Sequence, residues 1–247
     1  MTLFWLLGGT GLSSVSCGCL NQVLEKRQDG LMARTRARPL PAGRRSLPAA
    51  TAFGLVTGFL GLWILEAFCG RLPTIITAAT IVGYVVFYTP LKRLTPQTTW
   101  IGAAAGATAP LIGWAAARGS LSAQAWVLFA IQFLWQIPHF LAMFWLHRQD
   151  YERAGFKTMP VVDPRGGRTA AQIALHSFTV LPAALLPVFF GMAGEGYGFA
   201  ALVLSTAYLL LGMKASWSLA PVDTRRLFLA SLAYLPLIFA FLLIGGV

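Results

Sequence analysis

Residues 21–41 read NQVLEKRQDGLMARTRARPLP and directly follow an apolar run that begins at Met1. Within this stretch Asn21, Glu25 and Asp29 recur at intervals of four residues, which places their side chains on one face of a helix. The apolar run is long enough to cross a bilayer, which takes about 20 residues. The stretch therefore predicts a membrane helix whose polar end carries an amide and two carboxylates.

The residue types in this stretch point to phosphate chemistry assisted by a metal. Mg²⁺ prefers oxygen ligands and usually keeps phosphate or water among them, so the amide and the two carboxylates suit this ion. An arginine cluster follows, and guanidinium groups suit phosphate oxygens. Its members are Arg34, Arg36 and Arg38. We expect a Mg²⁺–diphosphate site at a membrane surface.

The composition of the whole chain is that of a membrane protein. Of its 247 residues, 57% are hydrophobic and only 11% are charged, whereas soluble domains carry about 25% charged residues. Its mean hydropathy is +0.68. The net charge of +11 does not indicate nucleic-acid binding, because loop arginines that follow the positive-inside rule account for it.

Eight stretches are long and apolar enough to span a bilayer. They lie at about 2–20, 49–68, 72–90, 99–117, 123–146, 170–192, 197–214 and 227–246. No ten-residue alternation typical of barrel strands occurs. The sequence therefore predicts an all-α, multi-pass transmembrane helix bundle of eight helices, in a single domain over residues 1–247. The first run is expected to be a retained helix, because no basic segment precedes it as in a signal peptide.

The distribution of positive charge predicts the orientation in the membrane. Seventeen of the nineteen Lys and Arg residues fall in the loops after the first, third, fifth and seventh runs, and only Arg71 and Arg118 fall on the other side. The positive-inside rule then places the ends of odd-numbered helices in the cytoplasm. Most acidic residues lie on the same side, so the predicted metal ligands and phosphate-binding bases share one surface.

A second group of functional residue types occurs at the end of the fifth run. Pro138 removes one backbone hydrogen bond from an apolar helix, and His139 follows it directly. Asp150 and Tyr151 come just beyond the end of this helix, in a long loop on the basic side. Long loops in compact proteins are often functional, so this loop is expected to face the first stretch.

Motifs spread over about residues 15–165 resemble, in the right order, the UbiA-type intramembrane prenyltransferases. The first stretch is similar to the NxxxDxxxD motif of that family, with Glu25 at the middle acidic position. In detail the chain resembles the protohaem IX farnesyltransferase branch of the family. The matching segments are NQVLEKRQDGLMARTRARPL from Asn21, YTPLKRLTP from Tyr88, WQIPHF from Trp135 and DYERAG from Asp150.

The resemblance implies transfer of a farnesyl group from farnesyl diphosphate to a vinyl group of haem b, with addition of water, to make haem O for haem-copper oxidases. It implies Mg²⁺ as the cofactor and haem b as a substrate. The implied catalytic and metal-binding residues are Asn21, Glu25, Asp29 and Asp150. The implied diphosphate-binding residues are Arg34, Arg38, Lys92, Arg93 and Arg148. The implied haem-binding residues are Trp135, Gln136 and His139, with His139 as axial ligand.

Other interpretations remain open at this stage. One alternative is that Lys92 and Arg93 determine membrane topology and have no other role. Another is that His139 is a structural residue, or that it contacts the substrate without binding iron. A UbiA-type enzyme that prenylates an aromatic quinone precursor is the nearest alternative. A membrane transporter is the alternative from another class, but it requires charged or broken helices near mid-membrane.

The resemblance also bears on location and on the extent of the chain. A bacterial inner membrane is expected, with the acidic and basic loops cytoplasmic, and a mitochondrial inner membrane is the alternative. Suggested partners are the lipid bilayer, the two substrates and haem A synthase or the oxidase assembly machinery, with no nucleic acid. Members of the family usually have nine helices, so the first of them is expected to be missing from this chain.

Overall fold

A computed structural model of the chain describes residues 1–246, and 80% of the chain is helical. Eight helices have the length and apolar composition needed to cross a membrane, which confirms the predicted number among the described residues. They are α1 (Thr2–Leu24), α2 (Leu47–Phe68), α3 (Arg71–Leu91), α4 (Thr98–Arg118), α5 (Ala123–Leu146), α6 (Gly167–Phe189), α7 (Glu195–Ser218) and α8 (Pro221–Ile244). Helices satisfy their own backbone hydrogen bonds, as lipid requires.

The largest difference from the predicted boundaries is at the last helix. It begins at Pro221, about six residues before the predicted start, so Arg225 and Arg226 lie inside its first two turns. Proline suits the first helical turn because the N–H that it lacks would have no partner there. Polar residues at a helix end are invisible to a search for apolar runs, which explains the late predicted start.

The chain forms two compact units, and the segment after α5 belongs to the first of them. The first unit comprises Met1–Leu121 and Gln149–Thr158, and the second comprises Ser122–Arg148 together with the chain from Met159 onward. The first unit therefore contains α1 to α4, and the second contains α5 to α8. The prediction of a single domain stays a prediction.

Close packing of α1 against α2 depends on small residues in the first unit. The glycines Gly54, Gly58 and Gly61 of α2 face α1, and a Cβ atom on Gly61 would lie 2.5 Å from Ser13 Oγ. Ser16 Oγ donates a hydrogen bond to Gly54 O at 2.6 Å. Small residues let membrane helices approach closely enough for such contacts, and they fix the position of α1.

The C-terminal half of α3 departs from α-helical geometry in a way that shapes the candidate site. Its segment Gly83–Tyr88 is a π-helix, followed by a short turn that contains Pro90. Thr89 Oγ1 donates to Tyr84 O at 2.9 Å. π-helical turns are rare and frequently mark functional sites. On the neighbouring α4, Gly102 makes room for the Tyr88 ring, which a Cβ atom there would meet at 2.5 Å.

In the second unit, α5 packs against both α6 and α8, and α7 packs against both of those helices. The start of α6 is fixed by Asp163, whose carboxylate accepts a hydrogen bond from Thr169 N at 2.9 Å. Gly166 precedes this helix with φ of +78°, and a Cβ atom there would collide with Leu219 and Trp145. The four helices thus form a closed ring of neighbours.

Candidate active site

The polar face at the end of α1 continues across a break in the helix. α1 ends at Leu24, and a short helix, Lys26–Leu31, starts after Glu25. Glu25 N–H donates to Asn21 O at 2.9 Å and Asp29 N–H donates to Glu25 O at 2.8 Å. These two backbone bonds keep the four-residue repeat in register. The side chains of all three repeat residues are buried, with Glu25 4% exposed and Asp29 2% exposed.

Glu25 is the centre of a buried network that joins α1 to α3. Lys92 Nζ lies 2.6 Å from Glu25 Oε1, and the two side chains form an ion pair. Asn21 Nδ2 donates to Glu25 Oε2 at 3.0 Å and to Thr89 Oγ1 at 3.1 Å. The short turn that follows the π-helical segment of α3 therefore presents Thr89 and Lys92 to the first acidic residue.

Lys92 is held among aromatic rings as well as by its ion pair. Its Nζ lies 4.7 Å from the centroid of the Tyr88 ring and 5.6 Å from that of the Phe156 ring. A cation over an aromatic face gains electrostatic attraction from the ring. The Lys92 side chain is only 10% exposed, so its charge has little solvent screening and acts strongly on whatever anion it faces.

Asp29 is paired with a different cation. Arg38 Nη1 donates to both carboxylate oxygens of Asp29, at 3.1 Å and 2.9 Å. Thr35 Oγ1 donates to Asp29 O at 2.9 Å, which anchors the loop that carries the arginines. The Arg38 side chain is 35% exposed while that of Asp29 is 3% exposed. The cation of this pair thus reaches solvent, and the anion does not.

The segment Gln149–Thr158 brings further groups to the same unit. Lys157 N–H donates to Lys92 O at 2.8 Å, which ties this segment to the end of α3. Asp150 forms an ion pair with Arg153. Arg34 Nη2 donates to the hydroxyl oxygen of Tyr151 at 3.4 Å. Burial raises the pKa of Tyr151 above its ordinary value, although the charge of Arg34 opposes this, so its hydroxyl stays protonated at neutral pH.

The remaining predicted diphosphate ligands lie in different surroundings. Arg34 and Arg93 are exposed. Arg148 belongs to the second unit, where its guanidinium carbon lies 4.6 Å from the centroid of the Trp145 ring. The first unit therefore contains the four predicted acidic and amide ligands together with Arg34, Arg38, Lys92 and Arg93, and it does not contain Arg148.

The donor chemistry of this cluster fits a Mg²⁺ ion that shares its ligands with a phosphate. Asn21 Oδ1 accepts no hydrogen bond from residues 1–246, and two buried carboxylates lie on the same face. Within that described range, no three His, Cys, Asp or Glu side chains form a metal cluster by themselves. Mg²⁺ usually keeps several water or phosphate ligands, so one amide and two carboxylates suffice on the protein side.

A cavity of about 500 Å³ lies between α1, α3 and α4 in the same unit as this cluster. Its lining includes Leu6, Leu7, Thr10, Ser13, Ser14, Cys17 and Gly18 of α1, with Tyr84 of α3 and Gly113 of α4. The α1 residues recur every three or four positions, so they continue the helix face that carries Asn21. The hydroxyls of Thr80 and Thr108, which also line the cavity, bond to each other at 2.8 Å, and most of the lining surface is apolar.

His139 lies in the second unit within an aromatic stack. Its ring is stacked with those of Trp135 and Phe228, at centroid distances of 5.2 Å and 4.9 Å. Its Nδ1 lies 2.7 Å from Ser231 Oγ, and Trp135 Nε1 donates to Ser231 O at 2.9 Å. Gln136 is buried and donates through Nε2 to Gln132 O at 3.3 Å.

Some residues of these clusters were not named as site residues from the sequence. Thr89 and Tyr151 stand inside the quoted motifs, and the adjacency of Thr89 to the Pro90 turn was a usable signal. Ser231 lies in α8, where the sequence offers only an apolar run with scattered small residues. No pattern in a single sequence connects it with a histidine 92 positions away.

Comparison with known proteins supports one family over almost the whole chain. Residues 1–243 match the model of the UbiA prenyltransferase family. A relative from Solibacter usitatus named "Protoheme IX farnesyltransferase" is 41% identical over 96% of this chain and 81% of its own length. One of the same name from Koribacter versatilis is 40% identical, over 98% and 81%. A mitochondrial one from Arabidopsis thaliana is 36% identical, over 99% and 57%.

Two solved structures agree with this fold. The structure of a digeranylgeranylglyceryl phosphate synthase aligns with a TM-score of 0.82, over 99% of this chain and 85% of that chain, at 14% identity. A UbiA homologue from Archaeoglobus fulgidus bound to GPP and Mg²⁺ aligns with a TM-score of 0.66, over 96% and 88%, at 15% identity. At these identities the likeness concerns the fold alone.

Proposed function

This chain belongs to the UbiA prenyltransferase family, and from that premise we propose that it transfers a farnesyl group from farnesyl diphosphate to a vinyl group of haem b. The allylic carbon–oxygen bond breaks, and diphosphate leaves with the electron pair. The terminal vinyl carbon forms the new carbon–carbon bond. The cation left beside the macrocycle takes up water and releases a proton to solvent, which gives the hydroxyethylfarnesyl side chain of haem O.

The observation that carries the proposal is the buried cluster of the first unit. Negative charge grows on the leaving diphosphate, so catalysis requires positive groups that are already in place before the bond breaks. Lys92 and Arg38 supply such groups, and Arg34 and Arg93 add exposed positive charge nearby in the chain. Asn21, Glu25 and Asp29, with Asp150, would hold Mg²⁺. When bound, that ion neutralises charge on the diphosphate oxygens.

The two ion pairs suggest how the site changes when the diphosphate arrives. Lys92 and Arg38 neutralise Glu25 and Asp29, since an unpaired buried carboxylate is costly. An incoming metal–diphosphate complex offers these carboxylates a cation and offers Lys92 and Arg38 an anion. The four side chains can therefore exchange partners without leaving a buried charge unpaired at any stage.

The cavity between α1, α3 and α4 is the proposed location of the isoprenoid chain. It begins beside Cys17 and Tyr84, and the Tyr84 ring lies 5.1 Å from the Tyr88 ring next to Lys92. Its far end is at Leu6, fifteen residues before Asn21, which corresponds to roughly 22 Å of helix. A polar head at Lys92 and an apolar tail along α1 match the two ends of a prenyl diphosphate.

The second unit supplies the proposed contacts for haem b. His139 offers an imidazole to the iron, and Trp135 offers an aromatic surface and Gln136 a polar side chain. In this unit His139 has no ion-pair partner among the described residues. A neutral imidazole in aromatic surroundings suits an apolar macrocycle better than a charged substrate.

Location and partners follow from the same proposal. Eight membrane-length helices make this a membrane protein. We expect the basic loops on the cytoplasmic side of a bacterial inner membrane, with a mitochondrial inner membrane as the alternative. Because haem O is an intermediate for haem-copper oxidases, haem A synthase or the oxidase assembly machinery is the proposed recipient of the product.

The test is an assay with the purified full chain in detergent, haem b, farnesyl diphosphate and Mg²⁺. Chromatography and mass spectrometry are expected to detect haem O from the parent and from the control Glu152→Ala, whose side chain is exposed. Asp29→Ala is expected to yield little or none, because it removes one proposed Mg²⁺ ligand.

Two outcomes would contradict parts of the proposal. If the parent prenylates aromatic acids instead of haem b, the family reaction holds and the acceptor is wrong. If Asp29→Ala makes as much haem O as Glu152→Ala does, the proposed metal site is wrong even though the reaction is right.

A further inference from the structure

Ser231 lies between two side chains that the proposed function assigns to haem binding. Its hydroxyl is 2.7 Å from His139 Nδ1, and its carbonyl oxygen accepts the hydrogen bond of Trp135 Nε1 at 2.9 Å. A single residue of α8 is thus bonded to two side chains of α5. This arrangement bears on which nitrogen of His139 carries a proton.

The direction of the serine hydroxyl follows from its second contact. Ser231 Oγ lies 2.5 Å from Phe228 O. A backbone carbonyl can only accept, so at this distance the hydroxyl hydrogen must lie between the two oxygens. The same hydrogen cannot also point to His139. Ser231 Oγ therefore acts as acceptor towards the imidazole, and His139 Nδ1 is the donor.

A histidine that donates from Nδ1 in its neutral form keeps its lone pair on Nε2. His139 Nε2 makes no hydrogen bond to any of residues 1–246. No acidic side chain of that range forms an ion pair with this ring, so a charged imidazole would be uncompensated in an apolar setting. The neutral form with a free Nε2 is the one that this environment favours.

Aromatic stacking fixes the plane of the same ring. The imidazole is inclined by 23° to the Trp135 ring and by 25° to the Phe228 ring. Both neighbours are themselves tied to Ser231, Trp135 through its N–H and Phe228 through its carbonyl. With stacking partners on the ring and Nδ1 occupied, the ring edge with Nε2 is the part that remains for a ligand.

We propose that Ser231 is a positioning residue that holds His139 as the Nδ1–H tautomer, so that Nε2 can coordinate the iron of haem b. This inference rests on the proposed function, from which it takes haem b as the ligand. Partners of this kind orient metal-binding histidines and typically change affinity by about 10–100-fold when removed.

The test is a titration of the purified full chain in detergent with ferric haem b, in the absence of farnesyl diphosphate. Absorption and electron paramagnetic resonance spectra report the axial ligand directly. We expect a histidine-ligated spectrum in the parent. Ser231→Ala is expected to weaken haem binding by at least about tenfold and to shift the spectrum, whereas Ser231→Thr, which keeps the hydroxyl, is expected to resemble the parent.

Two further variants separate coordination from folding. His139→Gly is expected to lose the histidine signature and to regain it when imidazole is added. Ser205→Ala is the matched control, because it removes another buried serine hydroxyl of the second unit, bonded at 2.7 Å to Tyr234. It is expected to leave the spectrum unchanged.

The outcomes distinguish this inference from the proposed function. If Ser231→Ala binds haem b with the parental spectrum and affinity, Ser231 is not a positioning residue. If His139→Gly keeps the histidine signature, another ligand holds the iron. If the parent coordinates haem through His139 but makes no haem O when farnesyl diphosphate is added, the positioning role stands and the proposed reaction fails.

Discussion

The two compact units carry buried polar clusters of opposite kinds. In the first unit, Glu25 and Asp29 are buried carboxylates, and each is paired with a cation. In the second unit, His139 is joined to Ser231 and stacked on aromatic rings, without an ion pair among the described residues. The first cluster holds charged side chains that balance each other, and the second holds a neutral side chain in a fixed orientation.

This difference matches the two substrates of the proposed reaction. A diphosphate is highly charged, so the protein groups that bind it must be charged and must compensate one another until it arrives. Haem b is an apolar macrocycle with a metal at its centre, so its binding depends on where one lone pair points. The comparison predicts that substitutions in the first unit act through charge and those in the second act through geometry.

The largest effect is expected when the charge balance of the first unit is broken. Lys92→Met leaves the Glu25 carboxylate buried without its cation, which we expect to lower the free energy of unfolding by about 3–5 kcal/mol. The double variant Glu25→Gln/Lys92→Met is expected to recover most of this loss, since both partners are then uncharged. Unfolding by denaturant in detergent micelles measures the difference.

An exposed ion pair in the same unit provides the control for this prediction. Arg153→Met breaks the pair with Asp150, but the Arg153 side chain is 62% exposed, so the change is expected to be about 1 kcal/mol or less. A Lys92→Met protein that is as stable as Arg153→Met would show that the buried pair does not balance charge as argued.

The next largest effect concerns which substrate each unit serves. Asp29→Asn removes a charge while keeping the side-chain size, and we expect kcat/KM for farnesyl diphosphate to fall by about 100-fold. His139→Ala is expected to raise the KM for haem b and to leave the KM for farnesyl diphosphate unchanged. Steady-state kinetics with each substrate varied in turn give both parameters.

The measurement is decisive because each of the two substitutions is expected to affect the kinetics of a different substrate. If His139→Ala raises the KM for farnesyl diphosphate as much as it raises that for haem b, the assignment of one substrate to each unit is wrong. If Asp29→Asn affects only haem b, the assignment is reversed.

The eight helices were predictable because each contains an apolar run long enough to cross a membrane. This signal depends on local sequence alone. The four-residue repeat of Asn21, Glu25 and Asp29 was equally visible, since helical period alone places those side chains together. The pairing of Glu25 with Lys92 was not predictable in the same way. It depends on the π-helical segment of α3, in which Tyr88 packs against Gly102 of another helix.

The side-chain contacts of the second unit were harder to predict from the sequence. His139 stood out because it follows Pro138 in an apolar helix. Its orientation depends on Ser231 and Phe228, which lie in another helix and belong to no recognisable motif. Charged residues at regular intervals can be recognised in a sequence. A network of neutral side chains cannot, because it depends on contacts between segments that are distant in the chain.

A smaller effect is expected at the far end of the cavity. Gly113 lines the cavity, and a Cβ atom there meets nothing within 4 Å, so the backbone has room for a side chain and Gly113→Leu is expected to reduce the cavity volume. We expect this variant to change the ratio of kcat/KM for farnesyl diphosphate to that for geranyl diphosphate by about tenfold in favour of the shorter substrate. A change of this size is typical when an apolar pocket loses room for about one methylene group. Competition between the two diphosphates, with product masses as the readout, measures the preference.

Gly8 provides a matched control for this substitution. It is exposed, lies close in the chain to Leu6 and Leu7, and is not part of the cavity lining. Gly8→Leu adds the same side chain outside the cavity and is expected to keep the parental preference. Equal preferences in the two variants would place the isoprenoid elsewhere.

The smallest effect is expected at Tyr151. Tyr151→Phe removes the hydroxyl oxygen that accepts the hydrogen bond of Arg34, which is long at 3.4 Å, so we expect about a fivefold rise in the KM for farnesyl diphosphate, equivalent to roughly 1 kcal/mol. Because burial raises the pKa of Tyr151, its hydroxyl stays protonated as pH increases towards its ordinary titration range near about 10. The kcat/KM profiles of the parent and of Tyr151→Phe should therefore run parallel up to that range. A divergence of the two profiles at lower pH would mean that Tyr151 titrates during the reaction. The first unit would then contribute a proton-transfer residue in addition to its balanced charges.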